Sequence, residues 1–98
     1  MSQQYIGTAR YQNGQTKAVS GTSATFNNVI GSGVTKAMLG STVDICFVQG
    51  KAPLTATTSD TPVFASNAIH ITIRSGESVA IIARDGTSTG TAYLSEAV

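Results

Sequence analysis

With 98 residues the chain has room for one domain and one modest core, because a protein of this size buries only about 60 to 70% of its unfolded surface. Charged residues make up 11% of it and the formal net charge is +1. Arg10, Lys17, Lys36, Lys51, Arg74 and Arg84 are scattered, so there is no basic stripe of the kind that nucleic-acid binding needs. The single cysteine, Cys46, excludes an internal disulfide, so folding does not call for an oxidising compartment.

Serine and threonine supply about a quarter of the residues. They are interleaved with Val and Ile rather than gathered in an apolar-poor tract, which fits strands with a hydroxylated outer side better than a disordered linker. No apolar run approaches the roughly 18 residues of a membrane span, and the opening MSQQYIGTARYQNGQ lacks the basic and apolar regions of a signal peptide. No membrane partner is expected.

In chain order, residues 1–16 are polar, with Tyr5, Ile6 and Tyr11 as the large apolar members. They read as an edge strand around Tyr5 to Tyr11 or as an arm that orders on a partner, leaving 17–98 as the domain proper. Asn13-Gly14 is a turn signal, since both residues tolerate positive φ. Lys17 to Phe26 reads as a strand interrupted at Gly21, and Asn27 to Gly33 as a connection. Val34 to Leu39 holds good helix formers, yet six residues between Gly33 and Gly40 make under two turns, and a strand is expected.

Val43, Ile45 and Phe47 alternate with Asp44, Cys46 and Val48. Apolar residues on both sides place this strand centrally. Gln49 to Pro62 is a long Thr-rich loop, of the sort that is often functional or packed on a partner. Val63 to Ala65 is a short strand. Ala68 to Arg84 then carries two alternating runs, Ile69/Ile71/Ile73 and Val79/Ile81/Ala83, around Ser75-Gly76-Glu77. A two-residue turn would set Ile71 opposite Ile82, and a three-residue connection would pair it with Ile81. A third possibility puts the two runs in opposite sheets, where no register is needed. The apolar pattern makes them the core of the fold and leaves His70, Thr72 and Arg74 to face partners. Asp85 to Gly90 is a polar turn, and Ser78 to Arg84 is expected to pair with Thr91 to Leu94 as a hairpin. Seven or eight short strands at this spacing predict an all-β fold, a small antiparallel β-sandwich or a jelly-roll-like barrel.

Residues able to do chemistry are few. His70 is the single histidine, without a second His or a Cys pair for a metal site. Cys46 lies among apolar neighbours, as an inert buried thiol does. Asp44, Asp60, Glu77, Asp85 and Glu96 fall at no paired interval, and Asp85-Gly86-Thr87-Ser88 suits a turn better than a calcium loop. The glycine-rich pieces lack the Lys and helix of a phosphate loop. No enzyme, cofactor or metal is expected. Sugar binding would rest on Tyr5, Tyr11 and Tyr93, since there is no Trp.

From Val43 onward the chain runs Phe47-Val48, then Gly50-Lys51-Ala52-Pro53, Ala56-Thr57-Thr58-Ser59-Asp60-Thr61-Pro62-Val63, Arg74-Ser75-Gly76-Glu77, Val79 to Ala83 and Gly90 to Leu94. This succession, a little over half the chain (about residues 43–96), resembles small virion proteins of tailed bacteriophages. The resemblance implies a β-sandwich that works as a capsid decoration or cement protein, or else as a head-to-tail joining or tail component. Its partners would be the major capsid protein and further copies of itself, as in a trimer, and its place the virion, after assembly in the host cytoplasm. No catalytic residue is implied. The expected contact residues are Tyr5, Arg10 and Tyr11 on the N-terminal segment, Lys51, Thr57 and Asp60 in the long loop, and His70 and Arg74 on the strand face.

Overall fold

The computed structural model describes residues 10–97. Eight strands follow one another: β1 (Tyr11–Val19), β2 (Ala24–Thr25), β3 (Lys36–Ser41), β4 (Ile45–Gly50), β5 (Thr61–Val63), β6 (Ile69–Thr72), β7 (Ser78–Ala83) and β8 (Gly90–Ala97). They form two four-stranded antiparallel sheets, β1-β8-β3-β6 and β2-β7-β4-β5. The first strand pairs with the eighth, the second with the seventh, the third with the sixth and the fourth with the fifth. That is the winding of a jelly roll, a sandwich built as one long folded ribbon of strand pairs.

The alternation in the sequence decides which residues meet between the sheets. Ala37 and Leu39 of β3, Ile71 of β6 and Ala92 and Leu94 of β8 face Ile45 and Phe47 of β4 and Val79, Ile81 and Ala83 of β7, all buried. Each large aliphatic side chain removed from water stabilises the fold by about 1.5 to 3 kcal/mol. β6 and β7 belong to opposite sheets, so the two isoleucine-rich runs pack across the core and do not share a register. The link between them is a turn in which Glu77 N–H donates to Arg74 C=O at 3.1 Å. Gly76 takes φ 83° at its third position, the conformation a type II turn requires there. Ile30 clamps this turn through Gly76 N–H to Ile30 C=O and Ile30 N–H to Glu77 C=O, each 2.8 Å.

Three local expectations change. Asn13-Gly14 makes no turn between elements: it sits inside β1 as a bulge between Gln12 and Gln15, with Asn13 at φ 52°. The same tolerance of positive φ serves a bulge as well as a turn. β1 therefore runs unbroken through residue 16, and Tyr11 to Thr16 form part of the sandwich edge. Second, β7 and β8 do not pair. The chain reverses at Asp85 to Thr89, but β8 crosses to the other sheet and inserts between β1 and β3. Third, the short strand begins at Thr61 and ends at Val63, with Phe64 beyond it. The interruption expected at Gly21 has a steric cause: a Cβ there would lie 2.1 Å from the carbonyl oxygen of Gly86.

The outer side of the second sheet carries Cys46, Val48, Ala80 and Ile82, paired Cys46 with Ile82 and Val48 with Ala80. The 51–60 loop lies across it. Ala56 is buried and its N–H donates to Ser23 Oγ at 2.8 Å, while the Cys46 thiol reaches Thr58 C=O at 3.6 Å. This explains a central strand that is apolar on both sides, and it spends the inner surface of the long loop on the chain itself.

Candidate functional site

Strand direction sorts the surface into two ends. At one end lie the start of β1, the start of β3, the turn between β6 and β7 and the exit of β4. They carry Arg10, Lys36, Arg74 and Lys51, all exposed. The opposite end holds the β1–β2, β3–β4, β5–β6 and β7–β8 connections, with Asp44, Arg84 and Asp85. A near-neutral chain thus has most of its cations at the end where the described residues begin, at Arg10.

The expected contact residues divide accordingly. Arg10, Tyr11, Lys51 and Arg74 come to the basic end, and Tyr11 connects it to the outer face of the first sheet. Its hydroxyl lies 2.7 Å from Nε2 of His70, and the two rings stack at 5.9 Å with 24° between their planes. Thr57 and Asp60 lie elsewhere, in the loop over the second sheet, where the Asp60 carboxylate accepts the Thr57 N–H at 2.7 Å. Tyr5 falls outside the described residues. Arg74 is exposed, and its N–H donates to Glu77 Oε1 at 3.0 Å.

Behind the basic end is a carboxylate that the sequence did not single out. Glu96 is 5% exposed and accepts hydrogen bonds from Gln12 Nε2 at 3.0 Å, Asn13 Nδ2 at 2.9 Å and Gly31 N–H at 2.8 Å. The Gln12 amide, then the Gly31 N–H, hold its carboxyl below the usual glutamate range, against the opposing effect of burial. One side chain of β8 thereby fastens the β1 bulge and the 27–33 connection. No local spacing points to this, because its partners are 65 to 84 residues away.

At the opposite end a polar cleft of about 660 Å³ is lined by Thr42, Asp44, Thr58, Arg84, Asp85 and Ser88. Its charged groups already have work within the fold. Asp44 Oδ1 accepts the Ala65 N–H at 2.7 Å, and Arg84 sits over the Phe64 ring at 5.3 Å. The Asp85 carboxylate accepts the Ser88 hydroxyl and the Ser88 and Thr87 N–H groups, which hold its pKa far below the usual aspartate range. This is the turn expected for Asp85 to Ser88. Cys46 is buried, and burial raises its thiol pKa, with Arg84 acting in the opposite direction. Among the described residues no three His, Cys, Asp or Glu side chains gather to hold a metal ion, and no helix is long and apolar enough to cross a membrane.

A second depression lies on the outer face of the first sheet, about 360 Å³, between Met38, Gly40 and Tyr93 on the strands and Ser66, Asn67 and Ala68 on the β5–β6 turn, with Ser41 and Thr42 at its end. Sequence reasoning picked out Tyr93 as an aromatic but not its companions, which come from two other segments, 38–42 and 66–68. No protein-family model, curated protein or solved structure matches this chain.

Proposed function

We propose that this chain is a virion structural protein of a tailed phage, a decoration or cement protein that docks through its basic end onto the major capsid protein. The observation that carries this reading is the gathering of Arg10, Lys36, Lys51 and Arg74 at one end of a small strand-only sandwich, joined to the sequence resemblance over residues 43–96. The jelly-roll winding adds an analogy only, since capsid domains and lectins share it with many other functions.

The mechanism needs no chemistry at a reacting atom. A cationic end is attracted to an acidic seam between capsomers and orients the protein during encounter. Burial of a standard interface, about 800 Å² on each partner, then raises the cost of separating the units it bridges. A junction with threefold symmetry favours a symmetric trimer of copies. A joining or tail component would use the same surface and differ in stoichiometry.

Purified protein mixed with isolated heads provides the test. Saturable binding at many copies per particle, weakened by salt and by the triple charge reversal Lys36→Glu/Lys51→Glu/Arg74→Glu, is the expected outcome. A few copies per particle transfers the proposal to the joining or tail role, and no association with heads or tails at low salt removes it.

A further inference from the structure

The groove beside Tyr93 has a chemistry of its own, and we infer that it is a binding site for a neutral saccharide. None of Met38, Gly40, Ser41, Thr42, Ser66, Asn67, Ala68 and Tyr93 is charged. An anionic or cationic ligand would find no counter-charge here, and a purely apolar one would bury hydroxyl and amide groups without partners. A sugar ring offers both surfaces the groove needs: a C–H face for an aromatic ring and hydroxyls at the edge for polar groups. At about 360 Å³ the depression falls within the roughly 300 to 1,000 Å³ of small-molecule sites.

The parts are arranged for that purpose. Tyr93 is 43% exposed on β8, which is paired on both sides by β1 and β3, so its ring stands on well-held backbone and is partly open to solvent, as a stacking surface requires. Gly40, across from it on β3, keeps the floor low. Gly40 is buried, and a Cβ there would meet Ala68 Cβ at 3.5 Å, ordinary contact, so the β5–β6 turn closes directly over this position and a larger side chain would push into the groove. The wall is a turn held in an unusual conformation: Ser66 has φ 63°, uncommon for a residue with a side chain. It is secured by Ser66 N–H to Ser41 C=O at 3.1 Å and Asn67 N–H to Phe64 C=O at 3.2 Å. Such outliers gather at ligand sites. Ser66 and Asn67 of this turn line the groove together with Tyr93. The groove also lies toward the end away from the four cations, so a saccharide and a capsid need not compete. The two proposals stand separately.

Nuclear magnetic resonance titration of the full chain with glucose, galactose, mannose, N-acetylglucosamine and their short oligomers tests the inference. The expected result is amide shifts confined to Met38, Gly40, Asn67 and Tyr93 for at least one sugar. Tyr93→Ala should weaken binding about tenfold, as loss of one stacked ring does, and Tyr93→Phe should retain it. Gly40→Val, which fills the floor, should abolish it while the melting temperature confirms folding. Thr57→Ala on the other sheet should change nothing. Absence of shifts across the panel, shifts that survive both Tyr93→Ala and Gly40→Val, or binding of acidic sugars alone would overturn it. Head binding by the same variants is scored independently, so loss of one activity does not imply loss of the other.

Discussion

The two sheets present outer faces of opposite character. On the second sheet, Cys46, Val48, Ala80 and Ile82 form an apolar surface, and the chain's own 51–60 loop lies over it with Ala56 buried. On the first, Thr16, Tyr93, Ser95, Lys36, Met38, His70 and Thr72 leave a mixed surface that meets water, with Tyr11 laid across toward His70. Both faces obey the same two-residue alternation. What differs is that one would be an aggregation surface without cover, whereas the other is polar enough to stand open with two tyrosines exposed on it. The long loop is thus spent on concealment, while Tyr11 and Tyr93 stay exposed on the open face.

Breaking the covered face should have the largest effect. Ala56→Asp places a charge in the closed space under the loop, and we expect a loss of about 3 kcal/mol or more in urea unfolding. Thr16→Asp on the open face should stay within about 0.5 kcal/mol. Equal losses at the two sites would show that the faces do not differ. Next in size is Glu96→Ala, which leaves the donors of Gln12, Asn13 and Gly31 without their acceptor and should cost about 2 to 3 kcal/mol.

The same carboxylate predicts a pH dependence. Its folded pKa is depressed, so its contribution is present above the ordinary glutamate value and is lost as pH falls through that value toward the folded one. Glu96→Gln should flatten this acid limb of the stability curve, and an unchanged limb would assign acid sensitivity elsewhere. A smaller effect is expected at Ser23→Ala, about 1 kcal/mol from the Ala56 N–H left without its acceptor. Together with that loss, a disulfide reagent should modify Cys46 faster than in the parent, because the loop above the thiol is less firmly tied. The smallest is Tyr11→Phe, which removes a bond between exposed side chains and should move stability by no more than about 0.5 kcal/mol.

Much of the fold was legible because alternation is local. β4 read as a central strand from its two apolar sides, and the Ile-rich runs read as core. The six residues after Gly33 read as a strand because a helix so short has no stability of its own. The pairing of strands was not legible. Asp85 to Gly90 announces a reversal, but nothing local says that β8 will join the other sheet, and β4–β5 is the one hairpin between consecutive strands. The surface followed the same rule. Individual cations were visible in sequence, but their collection at one end depends on strand direction. The groove beside Tyr93 joins β3, β8 and the β5–β6 turn, and the Glu96 clamp spans most of the chain.

The nested pairing has a consequence in time. β4 and β5 flank the shortest closure, and each pair outward, β3 with β6, β2 with β7 and β1 with β8, encloses a longer stretch and carries a larger entropic cost of bringing its ends together. A ribosome makes β1 first and its partner last, so the first strand to emerge waits longest, its edge unmatched, until Gly90 to Ala97 arrives to fill the place between β1 and β3. Nascent chains halted before Gly90 should accordingly be cut by protease along β1, and those carrying β8 clear of the exit tunnel should resist. In the growing chain the last strand is the one that completes the first sheet.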